Sequence, residues 1–80
     1  MNWEDRIVSD PKVLIGKPTI KGTRLSVAFI LERLADGWSE QTILENYPRL
    51  TREDLQAIFA YASDCMNDGL LHKSDVVQSG

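Results

Sequence analysis

The chain holds one cysteine and one histidine in 80 residues, Cys65 and His72. A single thiol excludes an intramolecular disulfide and fits a reducing compartment, and a single imidazole leaves no Cys/His cluster for structural zinc, so no metal is expected. Long apolar runs are missing as well. The longest, around residues 27–31, falls far short of the roughly 18 residues a membrane span requires. The opening Met-Asn-Trp-Glu-Asp lacks the cationic start of a secretion signal, so a cytoplasmic protein without a membrane partner is expected. Nor is there an excess of positive charge. Nine Lys and Arg against twelve Asp and Glu give a net charge of −3 and a pI near 4.9. That balance argues against a protein that coats nucleic acid by bulk attraction, but it says nothing of a local patch.

What is present is an ordinary globular composition, 42% hydrophobic and 26% charged, too apolar for a disordered chain. The length allows one domain, residues 1–80, that buries only about 60% of its unfolded surface. A core so small gains from a second subunit, and a homodimer is expected.

Charge is distributed unevenly. Between positions 11 and 24 stand Lys12, Lys17, Lys21 and Arg24 with no acid, so the remaining 66 residues carry −7. The same stretch holds Pro11, Gly16, Pro18 and Gly22, turn residues that break up short β-favouring pieces: Ile7-Val8, Val13-Leu14-Ile15, Thr19-Ile20 and Thr23-Arg24-Leu25. Residues 6–25 therefore read as a β-arm. Its short strands must pair with something, and the arm of a second subunit would bury Ile7, Val13, Ile15 and Ile20.

From Ser26 the period changes. Val27, Ile30, Leu31 and Leu34 fall on one helical face, with Ser26 placed to cap and Gly37 to terminate, which predicts a helix over 26–36. Ser39 opens a second over 39–46, with Ile43, Leu44 and Tyr47 inward and Pro48 ending it. Thr51 and Asp54 have capping-box spacing, and Leu55, Ile58, Phe59, Ala62 and Met66 continue a stripe that predicts a third helix over 52–67. The fold class is mainly α, an N-terminal β-arm followed by a three-helix unit over 26–67. Residues 70–80 show no sustained period and read as a tail.

Catalysis has little to stand on. Gly16-Lys17 is preceded five residues earlier by Pro11 and followed by Pro18, where a phosphate loop needs glycine and a hydroxyl. Cys65 stands near a helix C-terminus between Asp64 and Asp68, which disfavours thiolate. His72 has no partner at ligand spacing, and the acids are scattered singly. The expectation is a protein that is not an enzyme and takes no cofactor. The second and third helices could instead form a helix-turn-helix, with Arg49, Arg52 and Gln56 near the start of the third offered to DNA. Against this, the third helix carries Glu53, Asp54, Asp64 and Asp68, and a solvated helix start explains the three residues equally.

The run Gly16-Lys17-Pro18-Thr19-Ile20-Lys21-Gly22-Thr23-Arg24-Leu25-Ser26-Val27 is followed by Gly37-Trp38-Ser39, Tyr47-Pro48 and Leu50-Thr51. This pattern, spanning about residues 7–62, resembles a bacterial family of short antitoxin-like proteins known as domain of unknown function four-three-three. The resemblance implies a helix-turn-helix of homeodomain-like or winged-helix type, homodimerisation, and genetic pairing with a toxin of the PIN-like ribonuclease class. The glycines, Pro18 and Ser26 have turn and cap roles that need no ligand. Arg24 is open to two readings, a structural ion pair with a carboxylate, such as one on the partner arm, or a phosphate contact.

The expected function is that of an antitoxin of a type II toxin-antitoxin system, a DNA-binding homodimer that neutralises the toxin and represses its own operator. DNA contacts are assigned to Lys17, Lys21, Arg24, Arg49, Arg52 and Gln56. Toxin contacts fall to Leu70, Leu71 and Lys73 in the tail, where a lone cation would suit an acidic magnesium site. The alternative is a protein-interaction adaptor that never meets DNA.

Overall fold

A computed structural model describes residues 2–70 of the chain. A 3-10 turn (Trp3–Asp5) leads into strand β1 (Ile7–Val8), which pairs antiparallel with β2 (Thr19–Ile20); Ile7 faces Ile20, and Val8 faces Thr19. Helices α1 (Val27–Ala35), α2 (Glu40–Asn46) and α3 (Arg52–Cys65) follow, and a π-turn (Met66–Leu70) continues α3. Among the described residues no helix is long and apolar enough to cross a membrane.

Each helix begins where a hydroxyl is available. Ser26 accepts from the Phe29 amide at 3.0 Å and Ser39 from the Thr42 amide at 3.1 Å. Thr51 and Asp54 form a reciprocal box, the Thr51 hydroxyl accepting from Asp54 N at 3.2 Å and the Asp54 carboxylate from Thr51 N at 3.0 Å. These bonds satisfy amides that a helix start would otherwise leave unpaired. Gly37, at φ 98°, supplies the left-handed turn that frees the chain from α1.

The three helices enclose Ile30, Ile43, Leu50, Leu55, Ala57 and Ile58, with Ile7 and Ile20 closing one side. The β pair is thus a cap on the helical core. The intrachain hairpin, not the arm of a second subunit, satisfies the short strands and buries Ile7 and Ile20. Val13 is half-buried and Ile15 is 94% exposed.

The expected β-pieces at 13–15 and 23–25 are turns. The Ser9 hydroxyl donates to the Gly16 carbonyl, and Asp10 accepts from Lys12 N at 2.9 Å. The loop thereby closes on itself within ten residues. Leu14, Ile15 and Gly16 take φ values of 51°, 58° and 78°, three successive left-handed residues that closure imposes against β propensity. For Leu and Ile such backbone costs about 1–2 kcal/mol each. At 22–25, Gly22 (φ 80°) turns the chain. The Thr23 hydroxyl donates to Ile20 O at 2.8 Å and accepts from Leu25 N at 3.0 Å.

The third helix also differs from the expected stripe. Its buried face is Asp54, Leu55, Ala57 and Ile58, while Phe59 is 44% and Met66 59% exposed. The rotation follows from the N-terminal segment, which packs on the other flank. Trp3 meets the Tyr61 ring edge-on at 4.8 Å and donates its indole N–H to Asp64 at 2.6 Å, and Arg6 pairs with Asp54 at 3.1 Å.

Candidate functional site

The arm loop and the end of α2 enclose a groove of about 600 Å³. Val8, Val13, Leu25, Tyr47 and Pro48 give it apolar walls, with Arg24 and Arg49 both lining it. A second depression of about 490 Å³ continues from Arg24 and Leu25 to Leu14, Ile15, Lys17 and Phe29. The two form one surface, because Arg24 and Leu25 belong to both.

Tyr47 is held in place from behind. Its ring meets Phe29 edge-on at 5.6 Å and stacks on Trp38 at 6.3 Å. The Arg33 guanidinium lies 5.1 Å from the Phe29 centroid and 5.8 Å from that of Trp38, and it donates to Asp36 at 3.0 Å. Arg33 Nε is buried without a hydrogen-bond partner. The two ring faces are the compensation available to it. The wall formed by Tyr47 is therefore rigid before any ligand arrives.

The structure brings together some of the residues proposed from sequence and separates others. Lys17, Arg24 and Arg49 share the composite surface. Lys21 lines a different cleft with Asp5, Arg6 and Asp54. Arg52 lies 3.9 Å from Glu40, and Gln56 is exposed on α3. Leu70 ends the π-turn, and the remaining proposed tail contacts, Leu71 and Lys73, lie outside the described residues, as does His72. Both readings of Arg24 were motivated by charge. In the structure Arg24 is exposed, and among the described residues no carboxylate pairs with it.

Sequence reasoning misses the groove's α2 wall of Asn46, Tyr47 and Pro48, where it assigns only an inward Tyr47 and a helix end at Pro48. It also misses the Arg6–Asp54 pair, whose partners stand 48 positions apart. Elsewhere, burial raises the Tyr61 phenol above its ordinary value of 10.0, and the neighbouring Cys65 thiol adds to the shift. This pair lies on α3, which contributes no residue to the groove.

Residues 7–62 match the model of a family described as a protein of unknown function, DUF433. The chain belongs to the DUF433 family. It is also 34% identical over 56 residues to the uncharacterized protein y4eO of Sinorhizobium fredii (strain NBRC 101917 / NGR234). That stretch is 70% of this chain and 25% of the relative, so the chain spans about a quarter of the curated relative it matches. No solved structure matches. The matched region covers the hairpin, the groove and all three helices up to Ala62, so the groove lies within the DUF433 domain.

Proposed function

We propose that this DUF433 protein is an antitoxin-like homodimer without enzymatic activity that binds the DNA of its own operator and neutralises a toxin of the PIN-like ribonuclease class. One observation carries the DNA part of the reading: Lys17, Arg24 and Arg49, far apart in the chain, converge on one surface. In a protein of net charge −3, such a concentration of cations is where a phosphate backbone can approach. The helix–turn–helix order of α2, residues 47–51 and α3 supports it, with Gln56 available for base contact.

The test is a mobility shift on upstream DNA across a salt series. Each neutralised phosphate contributes about −0.9 to the slope of log affinity against log salt. Replacing Lys17, Arg24 and Arg49 by Gln should flatten the slope by about 5 per dimer if every copy meets a phosphate. Lys21→Gln, in the separate cleft it shares with Asp5, Arg6 and Asp54, should change it less, and Gln56→Ala should alter sequence preference at constant slope. The adaptor reading is favoured by a separate observation, the exposed acids Glu53 at the start of α3 and Asp68 in the turn that continues it. A purified dimer that gives no salt-sensitive shift, with or without toxin, leaves the adaptor.

A further inference from the structure

We infer that the groove between the arm loop and the end of α2 holds a partner-protein segment in which apolar side chains alternate with carboxylates. This uses the same Arg24 and Arg49 that the DNA reading uses, so the segment and a phosphate backbone would compete for one face.

The occupant follows from what lines the site. Val13, Leu25, Tyr47 and Pro48 line it with apolar surface, and Arg24 and Arg49 outweigh the one acid of the lining, Asp10. Both arginines are exposed, and among the described residues neither is engaged in a salt bridge. A guanidinium is shaped to take a carboxylate in a two-point grip. A leucine- or valine-like side chain gains from the apolar lining. Along the same surface Ile15 is 94% exposed, held at φ 58° in a conformation that β-branched residues avoid. Loop closure accounts for the strained backbone, but burial does not account for the side chain: an isoleucine this exposed offers an apolar contact to a partner.

Other occupants fit less well. A phosphodiester backbone would use the cations but gain nothing from the Leu25 and Tyr47 lining or from Ile15. A second copy presenting this same face would bring a second set of Lys17, Arg24 and Arg49 to it, cations against cations. The acidic, apolar segment satisfies cations and apolar lining together. Because Phe29 and Trp38 already fix Tyr47, the groove needs little ordering to receive it.

The experiment measures fluorescence anisotropy on the full chain with three labelled peptides of equal length: alternating Glu–Leu, alternating Lys–Leu and alternating Glu–Ser. A labelled duplex DNA of arbitrary sequence is the fourth probe. The Glu–Leu peptide should bind most tightly. Its affinity should fall about tenfold or more in R24Q/R49Q, the equivalent of one charge-assisted hydrogen bond, and recover in part in R24K/R49K. Ile15→Ser should weaken it several-fold. All three substituted positions across these variants are exposed, and circular dichroism checks that the fold is kept. Equal binding of Glu–Leu and Lys–Leu, equal binding of Glu–Leu and Glu–Ser, or no binding of Glu–Leu overturns the inference. Duplex DNA that binds through Arg24 and Arg49 while the Glu–Leu peptide does not makes the face a phosphate site and overturns it too. Glu–Leu binding that emerges only after removal of residues 71–80 assigns the groove to the chain's own tail, with the same consequence.

Discussion

Replacing Asp54 removes two structural ties at once. One carboxylate oxygen accepts from Thr51 N at 3.0 Å and closes the capping box of α3, while the other accepts from Arg6 Nη1 at 3.1 Å and fastens the N-terminal segment to the helix start. The Asp54 side chain is 9% exposed and that of Arg6 38%. Loss of a helix cap costs about 1 kcal/mol, and loss of a largely buried charge-assisted hydrogen bond about 1.5–3 kcal/mol. Arg6 is open enough to solvent that the lower end applies, so Asp54→Ala should destabilise the fold by about 2.5–3 kcal/mol. Asp54→Asn keeps one oxygen but turns an amide N–H₂ toward either Thr51 N or Arg6, at a cost of about 1–2 kcal/mol. A chain of this size has about 4–12 kcal/mol of stability in all, so either loss is large. Urea unfolding followed by circular dichroism at one fixed protein concentration measures it, with the slope on denaturant expected to stay constant. A double-mutant cycle with Arg6→Gln isolates the pair and should return a coupling of about 1 kcal/mol. A coupling below about 0.3 kcal/mol would show that the Arg6–Asp54 contact is screened like any surface pair and that α3 is anchored by apolar packing alone.

Three further outcomes are expected. Ile15→Asn should stabilise the protein by about 0.5–1 kcal/mol in thermal or urea unfolding, because asparagine tolerates the left-handed backbone and an exposed isoleucine contributes no burial; a loss above about 1 kcal/mol would instead place Ile15 in an interface between copies. Ile58→Ala, at a fully buried site where α3 meets the core, should cost about 2–5 kcal/mol, read as a lowered urea midpoint at unchanged slope. The phenol of Tyr61 titrates above its ordinary value of 10.0 in the folded state, chiefly through burial. Its contribution to stability is therefore full below pH 10 and is lost as pH rises through the folded value. Tyr61→Phe should accordingly flatten the fall in stability above pH 10, and identical alkaline profiles for the two proteins would refute the shift.

The sequence by itself determined the parts that depend on neighbours in the chain. The starts of all three helices were legible because a capping hydroxyl acts on an amide three residues away: Ser26 on Phe29, Ser39 on Thr42, Thr51 on Asp54. Gly37 marked the end of α1 for the same local reason, and Ile7-Val8 and Thr19-Ile20 had the residue types for strands. The run from Gly16 to Val27 carried enough of these local constraints to indicate the family. Tertiary structure alone decided which strands pair, because a two-residue strand is bonded by whatever edge closure brings to it, and here that edge lies within the chain. It decided the buried face of α3 as well, where Trp3 and Arg6 packing on one flank turned Phe59 and Met66 toward solvent. It drove Leu14 and Ile15 into left-handed backbone, since closing the 9–18 loop outweighs a propensity worth about 1 kcal/mol or less. And it divided the cations, gathering Lys17, Arg24 and Arg49 along one continuous surface while sending Lys21 to a separate cleft with Asp5, Arg6 and Asp54. Charge is countable along a sequence, but a binding surface is a property of which side chains the folded backbone sets side by side.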